Sequence, residues 1–511
     1  MERATKGVPI IQWEKDGTEE AGLVKIDLLG NRSLAVIRDC IANLGERGAV
    51  SDETSWQPED DPATKMLVAR GGTMGCFYIE SPAMRLLEQK AGTGDFEQLV
   101  IQSSIIRPAA NEFVREYVRR LHGGIWSPLC PEMDDVLEET MGLMVYQEDV
   151  SRVAVALAGF SHSEADGLRR ILSKKDRLRR LESYRNRFYD GCVKRGVDIA
   201  VVEEVWRMMM SFDGYSFCKP HSASYARVSF QAAFLKCHAP AEFMAAVITN
   251  GGGYYSTFAY VSEAKRLGLR VDPPDVCRAE LCWTGDNHEL RVGLQAVKGL
   301  SVDFVQRIVG ERAKKNFCGL EDFFARTEPA DDEARTLIHA GGLDGFEAST
   351  NRTNLLWQWA CWQRLAKENR RLSLLPVTLP PPPALPPADP VTLARREYGV
   401  LGFLCTNHPL AFCRAASGCI AASELAACRG RRVRLRVWLL SGKLVSTKTG
   451  EAMEFLTFED ETAVVEATFF PEIYRRYAHI LRSGRGYLLE GLVEEDFGAL
   501  TLTVERVQSL T

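Results

Sequence analysis

The sequence has 511 residues, enough for about three or four domains. Hydrophobic residues make up 46% and charged residues 26%, which excludes collagen-like, largely disordered and disulfide-scaffold classes. No apolar run approaches the ~20 residues that a membrane helix needs, and the N-terminus lacks the apolar core of a signal peptide. We therefore expect a cytoplasmic protein with no membrane partner.

Cysteine spacing and charge distribution narrow the possible ligands. The 14 cysteines never form C-x-x-C and the 8 histidines do not cluster with them, so we expect reduced thiols and no structural zinc site. The net charge of the whole chain is −5, but one segment, residues 169–195, is strongly basic, with 11 basic and three acidic groups. Such an excess indicates either a solvated helix face or a surface that binds a polyanion.

The first half of the sequence predicts one short strand followed by helices. Residues 23–29 are typical of an apolar strand, and Asn31 or Ser33 would cap the helix that follows, through Ile41. Residues 64–250 are predicted to be helical throughout. Within them, Ser163 to Asp166 has the S-x-x-D form of a capping box.

The second half changes character at a run of glycines, Gly251 to Gly253. Residues 251–292 have a mixed pattern, and residues 293–346 predict short helices separated by glycine turns. Residues 372–394 are rich in proline, which favours an extended linker that buries little.

From Gly430 onward the pattern predicts strands. Five alternating segments are separated by turns, and a single helix is predicted after the third of them. This order matches an oligonucleotide/oligosaccharide-binding (OB) barrel, with another small β-barrel as the alternative. The predicted strands cover residues 433–437, 453–458, 464–470, 487–494 and 500–507, and the helix covers 471–481.

Two segments have the chemistry to bind phosphate. In the basic segment, Arg170 and Lys174 are four residues apart and share a helix face, where a guanidinium fork and a lysine suit a triphosphate. Lys219 and His221 flank a proline at a predicted helix start, where backbone N–H groups favour anions. The alternatives are a solvated surface helix and a structural histidine.

Two further segments predict contacts with DNA. Residues 293–301 resemble a helix-hairpin-helix, in which Lys298, Gly299 and Ser301 would present a phosphate-binding turn, and residues 340–343 resemble a second such turn. An ordinary helical turn is the alternative. On the first barrel strand, alternate positions share one face, which would present cations and an aromatic ring to a single strand. These residues are Arg432, Arg434, Arg436, Trp438 and Lys443. The alternative for Trp438 is that its side chain faces the core.

Long motifs resemble the bacterial C-family DNA polymerases, which comprise the α subunit of DNA polymerase III and its error-prone relatives. They include LVKIDLLGNRSL, FYIESPAMRLL, IIRPAA, LEETMGLMVYQEDV and FCKPHSASYARV. The resemblance implies an α+β multidomain chain with a partial palm, mostly helical fingers, a helix-hairpin-helix region and a C-terminal five-stranded OB-fold barrel. The implied boundaries are 1–62 for the palm remnant, 63–250 for the fingers, 251–371 for the helix-hairpin-helix region, 372–394 for the linker and 395–511 for the OB domain.

The resemblance also implies roles for individual residues. Asp27 matches the third catalytic carboxylate of the palm and would bind metal. Arg107 matches an element near the incoming nucleotide, although Ala109 and Ala110 replace the usual Gly-Pro. The residues that would hold the deoxynucleoside triphosphate are Arg169, Arg170, Lys174, Lys175, Lys219 and His221.

The central departure from the family is that no D-x-D occurs in the sequence. Nucleotidyl transfer uses two metal ions about 4 Å apart, held by several carboxylates. The adjacent pairs Asp60-Asp61, Asp134-Asp135 and Asp331-Asp332 would point to opposite faces of a strand, so we interpret them as loop or helix-cap residues. We therefore expect Mg²⁺ only in a palm completed by a separate N-terminal half, and no polymerase activity from this chain alone.

A peptide before the linker has the register of a sliding-clamp-binding motif, Q-L-x-L-F in the family. The matching residues are Arg371, Leu372, Leu374 and Leu375, with arginine in place of glutamine and leucine in place of phenylalanine. An apolar linker edge is the alternative.

Two other hypotheses concern the whole chain. It could be a non-catalytic accessory protein that binds primed or damaged DNA, or the product of a truncated gene. The partners expected under the polymerase hypothesis are primer-template and single-stranded DNA, deoxynucleoside triphosphates, an N-terminal polymerase half and a sliding clamp.

Overall fold

The computed structural model describes most of the chain as helices followed by a closed barrel. The described residues are 2–4, 7–24, 31–45, 52–106, 111–172, 178–212, 217–346, 351–369, 378–447 and 449–510. The predicted strand at 23–29 lies mostly outside them. No helix in these ranges is long and apolar enough to cross a lipid bilayer. The predicted fold class, a helical body with a C-terminal barrel, is confirmed.

The helical body follows a two-stranded ribbon of β1 (Glu2–Arg3) and β2 (Pro9–Ile10). Its helices are α1 (Lys15–Glu20), α2 (Arg32–Leu44), α3 (Pro62–Ala69), α4 (Pro82–Ala91), α5 (Phe96–Ile105), α6 (Asn111–Leu121), α7 (Asp134–Leu137), α8 (Gln147–Ala158), α9 (His162–Leu172), α10 (Leu178–Lys194), α11 (Ile199–Met210), α12 (Lys219–His238), α13 (Pro240–Asn250) and α14 (Thr257–Arg266).

Side-chain caps explain where two of these helices begin. Asn31 caps α2 by accepting a hydrogen bond from the Ser33 backbone N–H at 2.9 Å, as one of the two predicted alternatives requires. The predicted capping box at Ser163 and Asp166 is wrong. The reciprocal pair is Ser161 and Glu164, with Glu164 accepting from the Ser161 backbone N–H at 2.8 Å and Ser161 Oγ accepting from the Glu164 N–H at 3.3 Å.

The centre of the helical body is formed by α12 and α13. All residues from Ala241 to Ile248 in α13 are buried. Apart from Glu242 they are apolar on every side of the helix, which is the pattern of a helix covered all around. Helix α2 is anchored to α13, where Asn250 donates a hydrogen bond to Asp39 at 2.9 Å. The helix that follows the predicted palm strand is therefore attached to the core of the body.

A smaller helical region with its own apolar core follows the body. A three-stranded sheet connects the two and packs on the helical body, where Val271 and Leu290 join the body's core. Its order is β3-β5-β4, with β3 parallel and β4 antiparallel to β5. The elements are β3 (Arg270–Asp272), β4 (Thr284–Asp286), β5 (Glu289–Arg291), α15 (Val302–Lys314), α16 (Leu320–Thr327), α17 (Asp331–Ala340), α18 (Arg352–Asn369) and α19 (Pro390–Leu401).

The predicted linker at 372–394 is partly structured. Helix α19 begins inside it at Pro390, where Asp389 accepts a hydrogen bond from the Thr392 N–H at 2.9 Å. Leu379 is buried in the smaller core, and its N–H donates to Glu321 Oε1 at 3.2 Å. The segment therefore buries more than its proline content predicts, because one carboxylate holds its backbone against α16.

The C-terminal barrel confirms the predicted order of five strands with a helix after the third. The strands close in the order β10-β8-β7-β6-β9, and apolar side chains at alternate positions fill the interior. The elements are β6 (Arg432–Ser446), β7 (Ala452–Glu459), β8 (Val464–Phe469), α20 (Pro471–Tyr477), β9 (Gly486–Asp496) and β10 (Ala499–Ser509).

Buried charged groups join the barrel to the helical body. Lys236 has no exposed side-chain surface and donates to the Gly72 and Met74 carbonyls at 2.7 and 2.8 Å and to Glu263 at 2.7 Å. Arg266 pairs with Glu263 at 3.1 Å and with the buried Glu459 of β7 at 2.8 Å. A continuous chain of ionic contacts therefore runs from the centre of the body into the barrel wall.

Candidate nucleotide and nucleic-acid site

The two predicted phosphate-binding segments meet at the start of α8. Arg169 donates from Nη1 to Gln147 Oε1 at 2.8 Å, and the Gln147 backbone N–H donates to the Phe217 carbonyl at 3.0 Å. The Lys219 backbone N–H donates to Glu148 Oε2 at 3.1 Å. Consecutive residues of α8 thus contact the end of the basic helix on one side and the first turn of α12 on the other.

The Lys219 ammonium is paired with an acidic residue that the sequence analysis did not identify. Its Nζ lies 2.6 Å from Glu139 Oε1 and 5.8 Å from the centre of the Tyr146 ring. Both charged side chains are more than a third exposed, so their pairing is open to exchange with an anion from solvent.

His221 lies within a row of aromatic rings at the start of α12. Its ring centre is 6.1 Å from that of Phe217, with the planes 9° apart, and 4.0 Å from that of Tyr225. Tyr225 in turn contacts Phe77 and Tyr78, at 5.0 and 5.1 Å between ring centres. The row places flat apolar surface beside a cation, which is the combination that a nucleotide requires.

Of this row, only His221 was a predicted site residue. Phe77 and Tyr78 lie in the motif FYIESPAMRLL, which carried the family resemblance but gave no indication of a ring contact with α12. Tyr78 also adopts a φ of 68°, in the left-handed region that residues other than glycine seldom use. Sequence spacing cannot reveal such a row, because its members come from segments about 140 residues apart.

Arg169 and Arg170, at the end of α9, both pair with an acidic residue of the same helix. Asp166 accepts from Arg169 at 2.7 Å and from Arg170 at 2.8 Å, and the hydrogen bond from Arg169 lowers the pKa of that carboxyl. Arg170 keeps 71% of its side chain exposed. Asp166, predicted to belong to a capping box, instead orders the two guanidinium groups one turn away.

Asp149 orders the start of α8, which carries Gln147 and Glu148. Its Oδ2 accepts from the backbone N–H groups of Val145 and Tyr146, both at 2.8 Å. Burial raises the pKa of this carboxyl from 3.8 to about 6. The folded chain therefore holds the proton more tightly than the unfolded chain, and the wild type loses stability as the pH rises through about 6.

We expect Asp149→Asn to gain stability relative to the wild type as the pH rises from about 4 to about 7.5, by roughly 2–3 kcal/mol. The amide oxygen still accepts from the backbone and carries no charge that burial would penalise. Denaturant unfolding across this pH range measures the difference, with Asp198→Asn at the exposed cap of α11 as the matched control. A difference that stays constant with pH contradicts the prediction.

Several predicted site residues lie outside the described residues. They include the catalytic candidate Asp27 and the predicted clamp-binding peptide. Three residues before Arg107 in the sequence, the Ser104 hydroxyl donates to the Ser222 hydroxyl in the first turn of α12 at 2.7 Å. The residues outside the described ranges are Asp27, Arg107, Lys174, Lys175, Arg371, Leu372, Leu374 and Leu375.

The described part of the chain does not fit a metal pair. It contains no group of three or more histidine, cysteine, aspartate or glutamate residues placed to hold a metal ion. Asp61 caps α3 by accepting from the Thr64 N–H at 2.7 Å, in keeping with its interpretation as a cap. Asp331 accepts from the Trp359 indole N–H at 2.8 Å.

The predicted helix-hairpin-helix turn lies between two helical elements of unequal length. The 3₁₀ turn Leu294–Ala296 precedes it and α15 follows it. Gly299 has a φ of 93°, which explains the glycine. Ser301 is the N-cap of α15 and also donates to Glu333 at 2.6 Å, whereas the Lys298 side chain is exposed.

The outer face of β6 is mostly covered, contrary to the prediction of an open cationic stripe. Trp438 is 6% exposed and packs against Phe258 of α14, with ring centres 5.9 Å apart, so the core-facing alternative is the correct one. Arg434 donates to the Ser417 carbonyl at 2.9 Å and Arg436 to the Leu410 carbonyl at 2.8 Å. Arg432 is exposed but paired with Glu505 at 3.0 Å.

The exposed end of the barrel offers a cation and an aromatic ring that sequence reasoning did not combine. Lys443 of β6 is exposed and stands directly opposite Phe455 of β7 in the antiparallel register. The Phe455 side chain is 46% exposed. Strand alternation placed Phe455 in a strand, but only the strand register puts it beside Lys443.

Family models match three parts of the chain. The bacterial DNA polymerase III alpha subunit finger domain matches residues 33–196, and a helix-hairpin-helix motif matches residues 268–355. An OB-fold nucleic acid binding domain matches residues 433–510. The end of α9 that is predicted to bind phosphate, the Gly299 turn and the barrel each fall within one of these matches.

Similar proteins align with essentially the whole chain. The DNA polymerase III subunit alpha of Bacillus subtilis is 30% identical over 100% of this chain and 47% of its own length. The error-prone DNA polymerase of Symbiobacterium thermophilum is 29% identical over 100% of this chain and 52% of its own length. The DNA polymerase III subunit alpha of Xylella fastidiosa is 31% identical over 96% of this chain. The chain spans about half the length of these curated relatives.

Proposed function

We propose that this chain, which belongs to the family of bacterial DNA polymerase III α subunits and error-prone DNA polymerases, binds the incoming nucleotide and the DNA during template-directed DNA synthesis. The observation that carries the proposal is the meeting of Arg169 and Lys219 at Gln147 and Glu148. The two residues are 50 positions apart in sequence, yet the Arg169 guanidinium and the Lys219 backbone N–H both bond to the start of α8.

In this proposal the triphosphate lies at the start of α8 and α12. Asp166 and Glu139 order the Arg169 guanidinium and the Lys219 ammonium beside this position, and phosphate oxygens exchange with these carboxylates on binding. His221 and the neighbouring rings supply flat surface for the base or sugar. Lys174, Lys175 and Arg107 are proposed to complete the site by family resemblance.

Catalysis needs carboxylates that the described residues do not supply. Phosphoryl transfer of this kind uses divalent metal ions, and a single aspartate at position 27 cannot hold two of them. We propose that a D-x-D pair comes from a separate N-terminal polypeptide. The sliding clamp, as a partner of residues 371–375, and the domain boundaries at 62, 250, 371 and 394 also stay proposals.

We expect Lys219→Gln to weaken binding of a deoxynucleoside triphosphate about tenfold, because one charged contact to phosphate is worth roughly 1.5 kcal/mol. Glu139→Gln should tighten binding by a smaller factor, since it frees the Lys219 ammonium and removes a negative charge from the site. Isothermal titration calorimetry with Mg²⁺ and dATP at low salt measures both effects. Lys194→Gln, an exposed lysine at the end of α10, is the control.

Opposite effects of the two substitutions support a triphosphate site at Lys219. Equal losses contradict it, because they indicate that the ion pair only stabilises the fold. DNA binding without any triphosphate binding favours the alternative function, a non-catalytic accessory protein. The lack of a D-x-D in the sequence is the observation that favours this alternative.

A primer-extension assay tests the division of the polymerase between two polypeptides. We expect no extension by the purified chain with Mg²⁺, a primed template and all four nucleotides. Addition of an N-terminal polypeptide that carries D-x-D should restore extension, and Asp27→Ala should abolish it again. Extension by the chain alone contradicts the proposal.

A further inference from the structure

The proline-rich segment before α19 has a regular pattern of burial. Leu379 is buried, Pro382, Leu385 and Ala388 are half-buried, and every other residue from 379 to 389 is exposed. We call residues 379–389 the proline strip, and as the structure describes it the strip contains no helix or strand. A period of three residues is that of a polyproline II helix, which has three residues per turn. One face of the strip is therefore covered and two faces are in solvent.

The amino-acid sequence accounts for this conformation. Proline fixes φ at about −65°, and a residue that precedes proline is restricted to extended or polyproline II backbone. Only two residues of the strip, Ala384 and Ala388, are neither proline nor followed by proline. A tight turn lies at the first of them, where the Leu385 N–H donates to the Pro383 carbonyl at 2.7 Å. The strip bends there without a change in its period of burial, and it is stiff before any partner binds.

Contacts with the helix-hairpin-helix region hold the covered face. The Leu379 side chain is buried in the smaller core, and its N–H donates to Glu321 Oε1 at 3.2 Å. Asn351 Nδ2 donates to the Leu385 carbonyl at 3.2 Å. At the other end, Asp389 is the N-cap of α19. The strip is thus fixed near its start, at its middle and at its end, so its exposed faces have a defined orientation.

One exposed face of the strip carries a P-x-x-P repeat. Pro380, Pro383 and Pro386 recur at every third position and therefore lie on the same face. Prolines have no backbone N–H, so this face offers flat apolar rings and carbonyl acceptors. The neighbouring exposed face carries Pro381, Ala384 and Pro387.

This composition defines the chemistry of a partner. Addition of the strip to a β-sheet needs backbone N–H donors, which prolines lack. Contact with phosphates needs cations, whereas the charged residue of the strip is an aspartate, Asp389. An aromatic-lined groove fits, because its rings pack on proline rings and its indole or phenol groups donate hydrogen bonds to the carbonyls.

The aromatic cleft of this chain is a poor match for the strip of a second copy. Five aromatic rings line a cleft of about 620 Å³ between the helical body and the barrel. Three of them, Trp283, Phe403 and Trp438, have no more than 6% of their surface exposed. Rings covered to this extent leave little flat surface for a proline ring, so a different protein is the better occupant.

We propose that the proline strip is a docking site for a partner protein with an aromatic-lined groove of the type found in WW and SH3 domains. The face of Pro380, Pro383 and Pro386 enters the groove. Docking costs little conformational entropy because the strip is already ordered. None of its residues belongs to the nucleotide site, so docking does not depend on nucleotide binding.

A fluorescently labelled WW domain that binds proline-rich peptides is the probe for this site. Its anisotropy rises when it binds the intact chain, and a free peptide of residues 378–391 competes for the same groove. We expect the intact chain to bind about threefold more tightly than the peptide, because the strip is ordered in advance. The affinity should be insensitive to salt, since rings and carbonyls make the contacts.

Two substitutions one position apart test which face enters the groove. Pro383→Ala removes a ring from the exposed face, and we expect it to weaken binding of the WW domain about fivefold. Pro382→Ala, on the covered face, is the matched control, and its effect should stay within about twofold. Both variants lose one proline from the same run, so a difference between them reports the ring contact and not the stiffness of the strip.

Each other outcome overturns the proposal. Binding of the free peptide but not of the intact chain shows that the fold does not expose the strip to a groove. Failure of both to bind shows that the P-x-x-P repeat is not recognised. Equal weakening by the two substitutions assigns the effect to stiffness. Self-association of the chain in sedimentation velocity, abolished by Pro383→Ala, assigns the face to a second copy.

Discussion

We expect Lys236→Met to lower the free energy of unfolding by about 3–5 kcal/mol, the largest effect of any substitution considered for this chain. The Lys236 ammonium is fully buried and makes three hydrogen bonds, to the carbonyls of Gly72 and Met74 and to Glu263. Methionine has a similar length but no charge. The substitution therefore leaves two buried carbonyls without a donor and one buried carboxylate without its nearest cation.

The pKa of Glu263 shows how strongly this group depends on its neighbours. Burial alone would raise that pKa, but the charges of Lys236 and Arg266 lower it to about 2. Without Lys236, only Arg266 remains beside the carboxylate at 3.1 Å. Removal of Lys236 raises the pKa of Glu263, so part of the lost stability is expected to return as the pH falls and Glu263 of the variant becomes protonated.

Urea unfolding followed by circular dichroism measures the effect. Lys314→Met is the matched control, because Lys314 is 72% exposed and we expect a change within about 0.5 kcal/mol. A Lys236→Met chain as stable as this control would contradict the interpretation of the buried network.

The second large effect is expected at the contact between the barrel and the body. Glu459 lies at the end of β7, is fully buried, and accepts from Arg266 at 2.8 Å and from His408 at 3.3 Å. We expect Glu459→Gln to lower stability by about 2–4 kcal/mol, because a buried arginine then loses one of its two carboxylates. The barrel should also unfold at a lower temperature than the helical body, since the lost contact joins the two.

Differential scanning calorimetry and limited trypsin digestion test this second prediction. We expect two transitions in place of one and faster cleavage after the arginines of β6 and α20 in the barrel. Glu461→Gln, at an exposed turn two residues away, is the matched control. Indistinguishable unfolding of the two variants would contradict a role for Glu459 in holding the barrel.

Local patterns predicted the elements of this fold well. Asn31 caps a helix because a short polar side chain reaches a free backbone N–H two residues on, an interaction within a few residues. The five strands and the helix after the third were evident because alternation and turn residues are also local. The wrong capping box has the same origin. Ser161 precedes Glu164 by three positions and Ser163 precedes Asp166 by three positions, so the local pattern fits both pairs equally.

What covers a face, and which charges meet, could not be predicted. Alternation along β6 placed Arg434, Arg436 and Trp438 on one face, which is correct. It could not show that α14 and the segment around Leu410 cover that face, because periodicity reports which residues point together and not what lies against them. Trp438, which the sequence predicts to face DNA, is therefore a buried ring that packs against Phe258 of α14.

The sequence by itself determined the helices, the barrel and the residue types able to bind phosphate, since these depend on neighbours within a few positions. Only the tertiary structure decided that Lys219 is paired with Glu139, that Arg169 and Lys219 meet at α8, and that Phe455 stands beside Lys443. Those contacts join residues far apart along the chain. Their energies depend on distance and burial, which no spacing in the sequence encodes.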